Sequence, residues 1–383
     1  MEDFASIRPY NDSEVNEKLI KYNYSSVFKK MITNIYPSWT QETIARRTKN
    51  IKSAQAFQEL LIYPAAKAAI DRSMEQFTIS GLENLQYDDN YLFISNHRDI
   101  VLDSTLLYYI LYQNGYKPGQ VAIGDNLLSS ELVTDIVKMN RTFIVKRNLP
   151  VREMIEEAKI LSRYMRYVLT EKKDSCWISH REGRTKDGND KTNPGVLKMI
   201  AMDCQGDKMD YLRSIKIVPV SIAYEYDSCD TLKAMELSDI KLTGSYKKDG
   251  TEDMKSIITG ITQQKGRVHF AFGKILSKQD FNFKSDKLQD QFKELSDIFD
   301  ERIHKNFRLF PGNYIAADLL RDNTIYADKY NAWEEEKFLK NLNEKLELRK
   351  NKADFEVYKR ILLGIYANPV FNQLEKKEDE KTN

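Results

Sequence analysis

Between Thr78 and about residue 280, short apolar runs rich in β-branched and aromatic residues alternate with amphipathic stretches. No other feature constrains the fold as much. The strand candidates are residues 91–95, 121–123, 142–145, 175–178, 215–223 and 268–272. The clearest helix follows Pro150, with Met154, Ile155, Ala158, Leu161, Met165 and Val168 on one face and Arg152, Glu153, Glu156, Lys159, Arg163 and Arg166 on the other. Strand–helix alternation of this kind implies an α/β fold with a mixed, mostly parallel central sheet flanked by helices.

The chain on either side has a different texture. Residues 15–36 and 54–77 carry apolar side chains at helical spacing, as do the charged segments 288–307 and 333–374. These give helical N- and C-terminal extensions, and a division into a helical region over 1–77, an α/β domain over 78–320, and a C-terminal helical extension over 321–383. The polar tail 375–383 is expected to be disordered. A length of 383 residues allows one large or two ordinary domains, and a net charge of +2 gives no global sign of nucleic-acid binding. Cys176, Cys204 and Cys229 are widely spaced and form no CxxC, which suits a reducing cytoplasm rather than a disulfide scaffold or zinc knuckle. The start, Met-Glu-Asp-Phe, is acidic without an apolar run, so no signal peptide is expected. The longest apolar candidates, residues 60–66 and 106–112, fall far short of the roughly 18 apolar residues of a spanning helix, so any membrane contact would be peripheral.

Four segments carry candidate chemistry. In the first, an apolar strand runs into Ser95-Asn96-His97-Arg98-Asp99, and Asp103 follows at the start of a Leu- and Tyr-rich helix. A histidine at a strand end with carboxylates nearby suits a general base, because a carboxylate fixes the tautomer and stabilises the imidazolium. A surface loop with a capping Asn or Asp is the plain structural alternative. In the second, a β-branched strand ends in Lys146-Arg147, where the guanidinium offers a bidentate fork for a phosphate or carboxylate; an ordinary solvated strand end is the simpler reading. In the third, a buried strand enters His180-Arg181-Glu182-Gly183-Arg184, where Gly183 permits close backbone approach to an anion and Glu182 could orient Arg184; a charged turn is the simpler reading. In the fourth, Pro219 interrupts an apolar strand, which implies an edge, a strand start or a bulge; a core strand with a structural proline is the simpler reading.

These blocks, in this order, resemble the glycerolipid acyltransferases, the glycerol-3-phosphate and lysophosphatidic acid acyltransferases. The pattern is Asn-His-(x)-Asp, Phe-Ile-x-x-Arg, Glu-Gly-Arg and Val-Pro-Val. Gly81-Leu82-Glu83-Asn84-Leu85 and Val268-His269-Phe270-Ala271-Phe272-Gly273-Lys274 also look like that family, and the resemblance covers roughly residues 78–320. It implies that His97 takes the proton of an acceptor hydroxyl as it attacks an acyl thioester, with Asp103 orienting the imidazole. Arg147, Glu182, Gly183, Arg184 and Pro219 would form the acceptor site. The donor would be acyl-CoA or an acyl carrier protein, and the acceptor a glycerol-phosphate or lysophospholipid, lysophosphatidate slightly preferred. No cofactor and no metal would be needed, and the protein would sit on the cytoplasmic face of the membrane. The N-terminal helices, especially residues 60–66, are the candidates for that contact, unless this apolar stripe packs on the core.

The chain departs from the family in three places. Five residues separate His97 from Asp103, usually one fewer in the family, so either Asp103 serves through a local bulge or Asp99 has taken its role; Asp103 is favoured because it begins the same apolar helix. Asn140 stands where a Gly is common, and Gly183 and Arg184 are adjacent where many relatives have one residue between. Other classes fit less well. There is no Gly-x-Ser-x-Gly elbow or phosphate loop, and His180-Arg181-Glu182 lacks the Pro-Cys-x-x-Cys of zinc deaminases. A metal hydrolase on His97, Asp99 and Asp103 lacks a second nearby histidine. An acyltransferase for an amino-acid lipid, or an inactive lipid-binding protein of the same fold, remain as alternatives.

Overall fold

The computed structural model describes residues 4–23 and 25–375. The acidic start at residues 1–3 and residues 376–383 of the tail expected to be disordered lie outside the described residues. Seven strands form one sheet: β1 (Gln76–Ser80), β2 (Leu92–Ser95), β3 (Gly119–Gly124), β4 (Thr142–Val145), β5 (Ser175–Ser179), β6 (Ile217–Tyr224) and β7 (Arg267–Phe272), in the order β1-β7-β6-β2-β5-β3-β4. Strands β2 to β6 run parallel; β7 is antiparallel to β6, and β1 pairs parallel with β7, so one edge of a mostly parallel sheet runs against the rest. The fold is α/β.

All six strand readings correspond to strands, and β1 was missed. Residues 54–77 read as helix, but the helix ends at Ser73 and Gln76–Ser80 pairs with β7. As a half-exposed edge strand, β1 offers only Phe77 and Ile79 as apolar signal, too little to outweigh the helical pattern before it. The helix itself contains a wide turn at Gln58–Ile62, just before Pro64. Proline has no N–H for the Leu60 carbonyl, which instead accepts from Arg47 at 3.5 Å. Residues 15–36 likewise form two helices, Asp12–Asn23 and Ser26–Ile35, the second capped by the Ser25 hydroxyl.

Strand β2 is buried throughout because β5 and β6 flank it and both faces are covered, which is why it reads as a continuous apolar run. Leu92 and Ile94 join one core with Leu161, Met165, Leu197 and Phe299; Phe93 joins the other with Leu106, Tyr108 and Phe270. The helix after Pro150, Val151–Arg166, buries Leu161, Tyr164 and Met165, but Met154 and Ile155, expected on its core face, are exposed. The helix has not yet reached the sheet in its first turns.

Residues 60–66 pack largely on the core: Leu61, Tyr63 and Ala66 are buried beneath the N-terminal helices, and Leu60, Ile62 and Ala65 are half-buried. Pro219 is neither at an edge, at a strand start nor in a bulge. It lies in an interior strand, in register with Ile94 of β2, and its carbonyl accepts from Gly273 N at 2.8 Å, just past the end of β7. Its missing donor therefore faces the point where the β6–β7 ladder has already stopped. At the C-terminal end, Pro311–Arg321 packs with Phe355–Val370 around Ile315, Ala316, Tyr358 and Leu362, so residues 311–320 pack with the C-terminal extension as well as following the sheet.

Candidate active site

The loop after β2 is held by side chains acting as extra backbone. Asn96 is fully buried; its Oδ1 accepts from Ile222 N at 2.8 Å, and its Nδ2 donates to Ile222 O and to Asp190, both at 3.0 Å. This amide extends the β2–β6 pairing past the end of the ladder. Arg98 turns inward and donates to Asp190 at 2.6 Å, while Lys233 donates to the Arg98 carbonyl at 2.8 Å and to Asp227. Buried charges are tolerable when paired and hydrogen-bonded in this way, and they leave the loop little freedom.

Within that frame His97 Nδ1 lies 2.8 Å from Asp103 Oδ2. The same oxygen accepts from the backbone N–H of Arg98 at 2.6 Å and of Asp99 at 3.0 Å, and Oδ1 accepts from the Tyr224 hydroxyl at 2.9 Å. The carboxylate is fully buried, so these donors offset its desolvation. Asp99 does something else: its Oδ1 accepts from Val101 N and Leu102 N and caps the helix Leu102–Gln113. This capped turn spans the residues between His97 and Asp103. Since a carboxylate only accepts, the His97–Asp103 contact puts the proton on Nδ1 and leaves the Nε2 lone pair free, without a partner among the described residues. Trp177 stands edge-on to the ring, with centroids 5.5 Å apart.

His97 opens onto a cavity of about 390 Å³ at the C-terminal ends of β3, β4 and β5. In parallel sheets this edge is where ligands bind. The structure brings His97, Arg147, Glu182, Gly183 and Arg184 to its walls, with Asp103 behind His97. Arg147 lies against Gly124, where a Cβ would come within 2.6 Å of its Nε, and its Nη1 is 3.9 Å from Glu182. Arg184 Nη1 is buried without a partner among the described residues, and Gly183 takes φ 70°, the left-handed region that favours glycine. Pro219 does not line the cavity; it sits near the opposite end of β6, and its expected part in the acceptor site is corrected accordingly.

Sequence reasoning missed several residues here. Arg181, Trp177 and Lys186 line the cavity, Tyr224 holds Asp103, and Asn96 anchors the loop. Tyr224 ends the strand that carries Pro219, but nothing in its spacing links it to a residue 121 positions earlier. Asp99, capping a helix, is turned away from His97, and among the described residues no group of three or more His, Cys, Asp or Glu is placed to hold a metal ion.

His180 lies beneath the cavity floor rather than in it. It is fully buried, with Asp190, Arg98 and Arg181 around it, and burial lowers its pKa to about 3. A histidine that is neutral when folded but titrates near 6.5 when unfolded makes stability rise with pH across that interval. Stability is complete above about pH 6.5 and is lost as the pH falls towards 3, at up to about 1.4 kcal/mol per pH unit. His269 is shifted in the same direction by partial burial. Urea midpoints between pH 4.5 and 7 are therefore expected to fall with acidification, and His180→Gln to flatten part of that slope. An unchanged slope in the variant would remove His180 from the account.

Residues 76–223 match the family model described as Acyltransferase. The chain carries an acyltransferase-family domain. The match starts at the first residue of β1 and ends one residue before the end of β6, so it contains all four sequence blocks. Among solved structures, the chain is similar to the 1-acyl-sn-glycerophosphate (LPA) acyltransferase PlsC from Thermotoga maritima, at 14% identity and a TM-score of 0.36, over 74% of this chain and 91% of that one. No curated protein matches it. Among the described residues, no helix is long and apolar enough to cross a membrane.

Proposed function

We propose that the protein transfers a fatty acyl group from an acyl thioester, acyl-CoA or acyl carrier protein, to a hydroxyl of a glycerol-phosphate acceptor, with lysophosphatidate preferred. The catalytic unit would be the α/β part over 78–320, braced by the helical regions 1–77 and 321–383, at the cytoplasmic face of a membrane. The observation that carries this reading is the His97–Asp103 pair, with Nε2 facing a cavity that Arg147, Arg181 and Arg184 also line. In the proposed reaction His97 Nε2 takes the acceptor hydroxyl proton as the oxygen attacks the thioester carbonyl. Asp103 supports the imidazolium; collapse of the tetrahedral intermediate expels the thiolate, which recovers the proton from Nε2. No metal or resident cofactor takes part in this scheme.

Converging guanidinium groups favour a dianion over a neutral alcohol, because an Arg–phosphate fork is bidentate and charge-assisted. Arg147→Ala should raise the acceptor KM about 10- to 100-fold, as expected for a hydrogen bond to a charged group. Lys at 147 should restore only part, since an ammonium cannot form the fork. The whole reading is tested by mass spectrometry of lipids after incubating purified protein with acyl-CoA or acyl carrier protein and a panel of acceptors. Faster acylation of a phosphate-free amino-acid lipid would overturn the headgroup assignment; no acylated product with any acceptor would overturn the acyl-transfer reading.

A further inference from the structure

The C-terminal helix Phe355–Val370 reaches the cavity wall from outside the sheet. Arg184, Lys186 and Asp187 line the cavity, and the loop that carries them, residues 184–190, is tied on two sides. On the catalytic side Thr185 N donates to the His97 carbonyl at 2.8 Å, and Arg98 Nη2 donates to the Gly188 carbonyl at 3.3 Å as well as to Asp190. On the other side the Asn368 amide donates to the Asp187 carbonyl at 2.7 Å. One residue on, loop and helix meet backbone to backbone. Gly188 takes φ 80°, and a Cβ there would come within 2.2 Å of the Ile365 carbonyl oxygen. Pro369 has no N–H to give that carbonyl, four residues before it, which suits the close approach of the loop.

Lys186 lies between these ties. Its ammonium is paired with Glu236 on the helix Asp230–Thr243, whose Leu237 also lines the cavity. That helix is in turn fastened to the C-terminal extension. Lys345 and the Tyr366 hydroxyl both donate to Asp230, and the Ser238 hydroxyl donates to Asp354 at 2.8 Å. Both the backbone and the ammonium of Lys186 are therefore set by contacts that lead to the C-terminal helices. An ammonium has three donors, and the pair with Glu236 uses one. We infer that Asn368 is a positioning residue of the acceptor site, holding Lys186 where its ammonium binds the acceptor's phosphate. This rests on the reading above of a phosphate-bearing acceptor. The ties to His97 and Arg98 are separate from Asn368, so loss of its donor leaves the general base in place and shows in acceptor binding rather than in turnover. An aspartate at 368 keeps the shape but cannot donate to the Asp187 carbonyl, whereas a glutamine keeps the amide.

The test uses the full chain and a short-chain lysophosphatidate kept below its micellar concentration, with binding followed by calorimetry and transfer by steady-state kinetics. Lys186→Met should weaken binding about tenfold or more, the loss of a charge-assisted hydrogen bond. Asn368→Asp should weaken it about 2- to 10-fold, the worth of one ordinary hydrogen bond, and raise the acceptor KM by the same factor while kcat and the donor KM stay as in wild type. Asn368→Gln should recover part of the loss. In a Lys186→Met background Asn368→Asp should weaken binding no further, because its effect passes through that ammonium. A purely structural Asn368 would lower the melting temperature without moving the Kd, and that result would overturn the proposal. So would an equal effect of Asn368→Asp with and without Lys186, a wild-type Kd in Lys186→Met, or a wild-type chain that does not bind lysophosphatidate. Acyl transfer by wild-type protein together with an unchanged Kd in Asn368→Asp would sink this inference alone. Binding that follows the expected order, with no acyl transfer to any acceptor, would uphold the positioning role and sink only the acyl-transfer reading.

Discussion

His97→Ala is expected to lower kcat/KM for acyl transfer by about 10²–10⁴-fold, the usual worth of a positioned general base. The fold should survive. Asp103 would keep its two backbone donors and the Tyr224 hydroxyl, so only one of its partners is lost, and the ring makes its main contact edge-on to Trp177. The stability cost should stay near 1–2 kcal/mol, about the size of one unmade hydrogen bond. Steady-state kinetics set beside circular dichroism and melting temperature separate the two effects. Wild-type turnover in a folded His97→Ala protein would end the general-base mechanism.

Asp103→Asn should cost on the order of 10³-fold in kcat, and Asp99→Asn less than about tenfold. The asymmetry follows from what each carboxylate touches. An amide at 103 is nearly isosteric, and Tyr224 can rotate its hydroxyl to accept where it now donates, but the negative charge that supports an imidazolium is gone. If the amide nitrogen faces His97 instead, the ring is driven to the other tautomer and Nε2 loses its lone pair. At position 99 an amide oxygen can still accept from Val101 N and Leu102 N, so the helix cap and the loop geometry persist. The measurement is kcat for both variants under saturating donor and acceptor. A larger loss in Asp99→Asn would move the dyad and overturn the assignment of Asp103.

The parts of the site that were legible in the sequence are those written into a single strand end. His97, Arg147, Glu182 and Arg184 each follow a short buried strand, and parallel strands deliver such residues to one edge of the sheet. At Pro219 the simpler reading holds, a core strand with a structural proline, because the neighbouring ladder ends beside it. Met154 and Ile155 misled because helical periodicity reports which side chains share a face, but not whether the core extends far enough to cover the first turns.

By itself the sequence determined the α/β alternation, six of the seven strands, and the polar loops that end them, because hydrophobic period and breaker residues act within a few positions of one another. Only the tertiary structure decided which carboxylate meets His97, since both lie within six residues of it and the capped turn alone separates them. It also decided that β1 is a strand, that Asn96 closes onto Ile222 and that Tyr224 holds Asp103. Those contacts join residues more than a hundred positions apart, and a hydrogen bond across such a distance depends on sheet order and register, which no local pattern encodes.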